Sequence, residues 1–594
     1  SNMVSVFEQL PDEILLTCYR YLRPYDVLYS FHSLNSRLNQ TISVYQCNID
    51  LLTCNYFEFI NYIDVLFPII GIHVHSLCLS QQYTHCQIKL FDGKIIKKYN
   101  DLHQLFPNLK SLKLVHCDSD VTLFMLKKIE YLSIIYIEYK SNLIDQQYLF
   151  ENLLSNRNKL LSKITILIPN GFELVSNYNQ CLNVKDLTIK IKNLKDLFLI
   201  FEIFRNLKSL HVIIVCRGRW GCWQCGSDQS APLQSKELSS LNKLSHLTDF
   251  QLQMSDPLFT FTEFRTLFEC ISAKLEKLSL YLNTENAAYI DGNQWKDLFS
   301  SVITILTTFK FYIRSILGFY SVNVDKVMKS FEWIHPKDKH CYIARDHLGV
   351  NYLYFYTIPF GFKTFELIDS QSTLTNFENG YSNVEQLILN SQVNDEFSYL
   401  KQFRNIEKLT YIGEEHATST CPKDMNFDSW IVPIKLIKLS HLSIDSIGLS
   451  TFCRLIKIAP YLLSLNIHNY EQFQRKILLY KPEMTLRRIE HLTVQFESCK
   501  SEQNDIIRLA SIFPNVKYLQ LKMIKCPRTF SIEIVRQSLF SFKNLRFIQL
   551  QIDGNSLKMI VRDPSKWLSE NTILKYLNKQ FYASCNQWNL QIWI

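Results

Sequence analysis

Hydrophobic residues recur along most of the chain in one short pattern, apolar-x-x-Leu-x-apolar, with polar residues at most of the positions between them. A segment with helical spacing usually precedes each copy and is followed by Pro-Asn or Arg-Asn. Because successive side chains of a strand point to opposite faces, the pattern predicts strands with one buried and one polar face. The copies begin at Leu109, Val184, Leu207, Leu275, Val384, Ile406, Leu462, Ile489, Val516 and Leu545, with weaker copies at Val74, Ile129, Leu247 and Leu439.

The repeating unit predicts an α/β architecture. Neighbouring copies are often about 22 to 29 residues apart, and Ile506, Leu509 and Ile512 show the helical spacing that precedes a strand. One strand and one helix cannot bury an apolar face alone, whereas stacked copies can. We therefore expect a long curved solenoid with parallel strands on its concave face and helices on its convex face. The alternative, a doubly wound α/β domain, needs strands that are apolar on both faces.

These repeats resemble those of leucine-rich-repeat proteins of the irregular, helix-bearing intracellular kind. On this resemblance, residues 46–594 form one solenoid that recognises a protein substrate. The last strand is predicted in "WNLQIWI", where Trp588, Leu590, Ile592 and Ile594 alternate with other residues. We expect this strand to close the edge of the sheet.

The first 45 residues do not follow the repeat. Helical spacing from Asp12 to Leu22, a second helix opened by Pro24, and Asn35 or Ser36 as the cap of a third predict three short helices. A segment of this size is too small to bury all of its apolar side chains. The surplus apolar surface predicts a partner protein.

This segment resembles the F-box, through Leu10-Pro11-x-Glu13-Ile14-Leu15, Tyr21-Leu22, Asp26-Val27-Leu28 and Ser33-Leu34-Asn35-Ser36-Arg37-Leu38. The resemblance implies that residues 3–45 bind a Skp1-like adaptor and, through it, a cullin and a RING subunit. The residues expected to contact the adaptor are Leu10, Pro11, Glu13, Ile14, Leu15, Leu22, Val27, Leu28, Leu34 and Leu38. The alternative is a helical cap on the first repeat, which would need a polar outer face.

Together the two resemblances imply the substrate-recognition subunit of an SCF-type ubiquitin ligase, a receptor that is not itself an enzyme. The chain has many Ser, His and Asp residues, but no motif sets any of them apart as a catalytic group. Two alternatives stay open. One is a scaffold that binds Skp1 without directing ubiquitylation, and the other is a leucine-rich-repeat receptor gated by a small molecule.

The polar face of the strands is the expected substrate surface. It is rich in hydroxyl, amide and imidazole groups, which suit hydrogen bonding to a protein or peptide. His441, His468 and His491 come from three copies in near succession, and we expect them at one strand position, as a column. The candidate substrate-binding residues are His211, Lys277, His441, His468, His491, Tyr518 and Gln520.

Composition narrows the range of partners and compartments. The net charge is +9 over 594 residues, without a Lys/Arg block, so we expect no nucleic acid. No stretch of about 18 uncharged apolar residues occurs, so we expect no membrane span. Residues 1–25 carry Glu8, Asp12 and Glu13 rather than a basic stretch followed by an apolar one, which predicts no secretory signal. The 17 Cys are expected as reduced thiols. We therefore expect a cytoplasmic or nuclear protein.

Cofactor and metal sites are not expected. The chain has only 14 Gly and no glycine-rich phosphate motif. Cys216, Cys222 and Cys225 lie where the repeat spacing lengthens, and we interpret them as part of an inserted loop at 216–235, with a zinc site as the alternative. A second inserted loop is predicted at 333–361, and its His335, His340, Cys341 and His347 have no spacing typical of metal ligands.

Overall fold

The fold is known from a computed structural model of the 594-residue chain. The structure describes residues 9–81, 87–99, 102–117, 131–139, 146–153, 160–174, 180–192, 194–215, 244–254, 260–271, 274–284, 286–303, 305–316, 323–334, 339–345, 351–367, 380–390, 398–412, 435–445, 447, 449–475, 485–496, 504–523, 528–552, 557, 563–575, 581–585 and 589–594. Among these residues, no helix has the length and apolar character needed to cross a lipid bilayer.

The chain forms two compact units, one of Ser1–Leu258 with Glu263–Lys277 and one of Phe259–Thr262 with Leu278–Ile594. Both units contain long sheets whose strands are mostly parallel, and helices connect many of the strands. The α/β class predicted from the repeats is therefore confirmed.

In the first unit eight strands pair in parallel and follow chain order. They are β1 Asn48–Asp50, β2 Ser76–Ser80, β3 Ser111–Cys117, β4 Ile134–Tyr139, β5 Lys163–Leu167, β6 Asp186–Ile191, β7 Ser209–Ile214 and β8 Asp249–Met254. The α-helices are α1 Asp12–Tyr19, α2 Pro24–Phe31, α3 Ser36–Thr41, α4 Ser43–Cys47 and α5 Tyr56–Asn61, then Phe67–Ile70, Gln87–Phe91, Lys97–Tyr99, Leu102–Leu105, Gln146–Leu153 and Leu194–Ile203. Short turns of π-helix run Tyr62–Leu66 and Asp92–Ile96, and a 3₁₀ turn runs Gly71–His73. The helix Phe261–Ile271 contains the division between the units.

The second unit holds two groups of strands. In the first group the order is β9 Lys277–Thr284, which belongs to this unit from Leu278 onward, then β10 Thr308–Ile316, β12 Asn351–Thr357 and β11 Lys339–Arg345. The strand β12 is antiparallel to both of its neighbours. In the second group parallel strands follow chain order and end in an antiparallel pair. They are β13 Thr364–Leu367, β14 Gln386–Asn390, β15 Lys408–Ile412, β16 His441–Ile444, β17 Ser464–Ile467, β18 His491–Phe496, β19 Tyr518–Met523, β20 Phe547–Ile552, β22 Asn589–Trp593 and β21 Tyr582–Cys585.

The helices of the second unit lie between these strands in the chain. The α-helices are Gly292–Ser301, Val324–Ser330, Leu449–Ile458, Tyr470–Phe473, Asn504–Ile512, Arg528–Ser541 and Pro564–Asn571. Short 3₁₀ turns run Ala287–Ile290, Ser398–Gln402 and Ile573–Lys575.

The central leucine of each repeat occupies one row of the second unit's parallel sheet. Leu409 aligns with Leu442, which aligns with Leu465, Leu492 and Leu519. All five side chains are at most 1% exposed. A fully buried leucine contributes roughly 2 kcal/mol relative to an exposed one, so this row is a main source of stability.

The asparagine before the strand links consecutive repeats. The side-chain amide of Asn383 donates to the carbonyl of Phe360 at 2.9 Å, and that of Asn405 donates to Ser382 at 2.7 Å. Asn108, Asn206 and Asn515 make the equivalent bond to the preceding repeat in their own parts of the chain. The Pro-Asn and Arg-Asn pairs of the sequence therefore have a structural role that the apolar pattern alone did not reveal.

Two predictions about strand position are wrong. The copy predicted at Ile129 is displaced, because β4 aligns Ile135 with Leu112 and Ile137 with Leu114. The C-terminal strand β22 does not close the sheet, since it lies between β20 and β21. Its Leu590, Gln591, Ile592 and Trp593 are all at most 5% exposed, so the strand is covered on both faces.

The loop predicted at 333–361 is also wrong in large part. β11 and β12 occupy 339–345 and 351–357, as an antiparallel pair joined to β10. The strands escaped the sequence pattern because they are built on tyrosine and phenylalanine rather than leucine, as in "NYLYFYT". Aromatic residues have high β-propensity, so the residue types were consistent with strands throughout.

Candidate functional site

The N-terminal segment, residues 9–47, forms helices where the sequence predicts them. Pro24 is the first residue of α2, and the Asn35 side chain caps α3 by accepting a hydrogen bond from the Leu38 amide at 2.8 Å. Ser33, in the turn between these helices, has a φ of 64°, and its amide donates to the side chain of Asn39. A fourth short helix, α4, follows directly and was not predicted.

The ten residues proposed for adaptor contact divide by burial. Leu15, Val27, Leu28 and Leu38 are at most 1% exposed, so they form the core of the segment and support its surface from inside. Leu10 is half-buried. The exposed members are Pro11, Glu13, Ile14, Leu22 and Leu34. Of the ten residues, only the five exposed ones and part of Leu10 can therefore contact an adaptor directly.

Exposed apolar side chains are concentrated in this segment. Of the 21 large hydrophobic side chains that are exposed among the described residues, seven lie between residues 9 and 47. Ile14 is 47% exposed, Leu34 59% and Tyr21 87%. The other four are Leu16, Leu22, Tyr29 and Val44. Exposed apolar groups at this density are typical of a protein-binding surface.

Polar contacts fix the segment in place. Arg37 of α3 binds Asp12 of α1 through Nη2 at 2.7 Å and donates to the carbonyl of Leu10. Arg23, at the start of α2, contacts Asp26 at 2.8 Å and Glu58 of α5 at 2.7 Å. The Glu58 side chain is only 6% exposed, and its carboxylate is bound by Arg23 and by the Asn55 backbone amide, which donates to Oε2 at 3.1 Å. The first contact holds Leu10 and Pro11 beside α3, and the second ties the segment to the chain that follows.

The histidine column predicted for the substrate surface does not form. In the sheet register, His441 and His491 both align with Ser464, so they share one row but are two strands apart. His468 follows β17 and lies four residues beyond Ser464, outside that row. The prediction placed His468 on the strand, but it lies one residue beyond the end of β17. There its Nε2 is hydrogen-bonded to the Ser443 Oγ at 2.9 Å.

The other candidates fall on several strands. Tyr518 lies next to His491 in the row, and the two rings stack with centroids 4.4 Å apart. Gln520 is half-buried on the same face of β19. Lys277 is exposed at the start of β9, and His211 lies on β7 in the first unit. His441, His491, Tyr518 and Gln520 therefore share one sheet face, and His468 joins it through Ser443 and Asn466, which lie in the row of Gln520. The structure does not join Lys277 or His211 to them.

Burial controls the state of the histidines. It lowers the pKa of His211 to about 4 and that of His491 to about 4. Burial also lowers the pKa of His441 and of His468. These rings are neutral near pH 7, so each can offer one donor and one acceptor rather than a positive charge.

The second unit carries a polar and aromatic group that the sequence analysis missed. We call it the aromatic–arginine cluster, defined as Tyr281, Tyr312, Arg314, Tyr352, Tyr354 and Glu366. Antiparallel pairing places Arg314 of β10 opposite Tyr354 of β12. The Arg314 Nη1 donates to Glu366 of β13 at 3.0 Å, and its guanidinium lies 4.2 Å from the centroid of Tyr352. The signal was the alternation in "KFYIRSI" and "NYLYFYT", which places Tyr and Arg on one strand face.

The cluster is largely buried, and its one positive charge is paired with its one negative charge. Tyr312 and Tyr354 are fully buried, and the Tyr281 ring stacks on Tyr312 at 4.4 Å. Burial raises the pKa of Tyr281 to about 12, so this ring stays neutral. Burial opposes the charge of Arg314, yet Tyr354 and Glu366 outweigh it and raise the pKa of the guanidinium. The side chains of Arg314 and Glu366 keep 20% and 28% exposure, so this charged pair can be reached from solvent.

Metal binding has no support in the described residues, which contain no group of three or more His, Cys, Asp or Glu placed to hold an ion. Cys216, Cys222, Cys225, His335 and His347 lie outside the described residues. His340 and Cys341 lie on β11.

The chain matches no protein-family model, and no curated protein is significantly similar to it. The resemblances to the F-box and to leucine-rich-repeat proteins therefore stay predictions. They rest on the residues of this sequence alone.

Proposed function

We propose that this protein is the substrate-recognition subunit of an SCF-type ubiquitin ligase. In this proposal the N-terminal segment is an F-box-like module that binds a Skp1-like adaptor and, through it, a cullin and a RING subunit. The repeats form a leucine-rich-repeat solenoid that binds a protein substrate. The chain has no catalytic role of its own and works in the cytoplasm or nucleus.

The observation that carries the proposal is the exposed apolar surface of the N-terminal segment. Ile14, Leu22 and Leu34 belong to the residues that carry the F-box resemblance, and each is more than 40% exposed. A helical cap on the repeats would instead present a polar outer face. Exposed apolar side chains at motif positions favour adaptor binding over capping.

The parallel strands support the second half of the proposal. Each strand from β13 to β19 pairs with its successor in the chain, with the central apolar residues in register. Stacked repeats of this kind present a long polar face, which suits recognition of an extended protein segment. Such a face needs no deep pocket and no catalytic group.

Affinity purification of the tagged chain from cells, followed by mass spectrometry, tests the proposal. We expect Skp1, a cullin and a RING subunit to be recovered together. Recovery of Skp1 without cullin would favour the scaffold alternative. Absence of Skp1 would overturn the proposal as a whole.

A further inference from the structure

Arg314 has more hydrogen-bond donors than partners. A guanidinium offers five N–H groups in one plane. Glu366 takes one of them, from Nη1, while Nε is buried and has no hydrogen-bond acceptor in the part of the chain that the structure describes. The planar arrangement of the donors suits a carboxylate, which can accept two of them at once. The pair with Glu366 therefore leaves binding capacity at this arginine.

The surroundings of Arg314 have a positive excess. Lys310 lies four residues earlier on β10, hence on the same strand face, and none of the described carboxylates pairs with it. Its side chain packs over Gly361, where an added Cβ would stand 2.6 Å from the Lys310 Cδ. Lys310 and Arg314 thus place two positive charges on one face of β10, about 13 Å apart along the strand, and Glu366 pairs with Arg314. An incoming carboxylate would restore the balance.

The aromatic rings around Arg314 prepare it for binding. Tyr354 is fully buried beside the guanidinium, and Tyr352 is half-buried with its ring under the charge. A side chain held in this way loses little conformational freedom when a ligand arrives. Tyr and Arg are also the residue types in which binding energy concentrates at protein interfaces. The half-buried Tyr352 side chain lies next to the charge and offers an apolar contact there.

We propose that the aromatic–arginine cluster is the site where the substrate docks, and that it takes a peptide segment with a carboxylate side chain next to an apolar or aromatic one. The carboxylate binds the terminal N–H groups of Arg314 that Glu366 leaves unused, and the apolar neighbour packs on Tyr352. This inference rests on the proposed function, because it names the substrate class for the same receptor.

The probe is a phage-displayed random peptide library selected on the full-length protein. We expect the selected peptides to be enriched in Asp or Glu beside an apolar residue, and to bind wild-type protein after synthesis. Changing the acidic residue of a selected peptide to its amide should weaken binding by at least about tenfold. Absence of acidic enrichment would overturn the inference. A phosphoserine peptide that binds about tenfold more tightly than the carboxylate peptide would overturn the assignment to a carboxylate.

Two variants of opposite sign separate binding from a structural role. Arg314→Gln should weaken binding of the synthetic peptide by at least about tenfold. Glu366→Gln should strengthen that binding, because this variant lacks the carboxylate that competes with the peptide for Arg314. Loss of the ion pair through damage to the fold would weaken binding in both. The double variant Arg314→Gln/Glu366→Gln removes both charges at once and leaves no unpaired charge behind. It therefore tests whether peptide binding is lost with Arg314 when the fold carries no such penalty. Arg536→Gln, on the helix Arg528–Ser541, is the control and should bind as wild type.

Equal peptide binding by wild type and the double variant would contradict the inference. Skp1 binding is measured on the same samples, so that failure of the docking site can be distinguished from failure of the proposed function. A chain that binds Skp1 but no acidic peptide refutes the docking site alone. A chain that binds the peptide but not Skp1 refutes the proposed function alone.

Discussion

Buried histidines make the stability of this protein depend on pH. His491 has its pKa lowered to about 4 in the folded state, against an ordinary value of about 6.5 in the unfolded chain. Between these values the unfolded state binds more protons than the folded state, so acid favours unfolding. The contribution is complete above about pH 6.5 and falls as the pH drops towards 4. For one such histidine, the loss between pH 7 and 5 is on the order of 2 kcal/mol.

We predict that His491→Phe reduces this acid sensitivity. Phenylalanine keeps a flat ring against Tyr518, which now stacks on the imidazole at 4.4 Å, and it cannot take up a proton. The opening free energy of β18, measured by hydrogen exchange and corrected for intrinsic rates, should change by about 2 kcal/mol less between pH 7 and 5 than in wild type.

The exposed His246 provides the control for this change. His246→Phe should leave the acid loss at β18 unaltered. If His491→Phe retains the full wild-type loss, other groups are responsible for the pH dependence, and the neutral buried imidazole has no such role.

At the scale of the elements, the ion pair of Arg23 and Glu58 connects the N-terminal segment to α5. Removing Arg23 would take away the 2.7 Å ion pair of the Glu58 carboxylate, whose side chain is 6% exposed. We predict that Arg23→Ala destabilises the segment by about 2 to 3 kcal/mol. Proteolysis of residues 9–47 under native conditions would detect this loss as faster cleavage.

Arg20 lies three residues away, is exposed, and follows the last residue of α1. Arg20→Ala therefore removes the same side chain without removing a buried pair, and it should leave the cleavage rate close to wild type. Identical rates for both variants would mean that the ion pair does not hold the segment.

The asparagine links between repeats should also stabilise the fold. Asn405 is half-buried and donates to Ser382 at 2.7 Å. We predict that Asn405→Ala lowers the thermal midpoint, by an amount that corresponds to about 1 to 2 kcal/mol, because the Ser382 carbonyl loses a partner. Asn544→Ala, where the bond is exposed and 3.4 Å long, should have a smaller effect. An equal effect at both positions would argue against a role for the link.

The elements were predictable where local pattern and tertiary packing agree. Leucine-based strands such as β7 and β18 lie where the apolar spacing puts them. The copy predicted at Ile129 shows the limit of the pattern, because a copy that begins at Leu132 and continues with Ile135 and Ile137 fits it as well. The two registers are distinguished only by the pairing of β4 with β3. β10 and β12 were missed because their apolar positions hold aromatic residues.

At the scale of the whole molecule, the site was less predictable than the elements. Ile14 and Leu15 look equivalent in the sequence, yet one is 47% exposed and the other fully buried. The difference depends on which helix face packs inward. The aromatic–arginine cluster joins residues from β9, β10, β12 and β13, which are up to about 85 positions apart in the chain. Spacing within one repeat carries no information about such a juxtaposition.

Adaptor binding by the N-terminal segment is the central claim, and titration calorimetry of the purified chain with purified Skp1 tests it most directly. We predict a 1:1 complex that is lost in Ile14→Asp/Leu34→Asp, because both changes place a charge on exposed apolar surface at the proposed contact. Ile507→Asp is the matched control, since Ile507 is 47% exposed, as Ile14 is, and lies on a helix of the repeats. It should bind as wild type. Absence of heat with the wild-type chain, or equal binding by the double variant, would contradict the account.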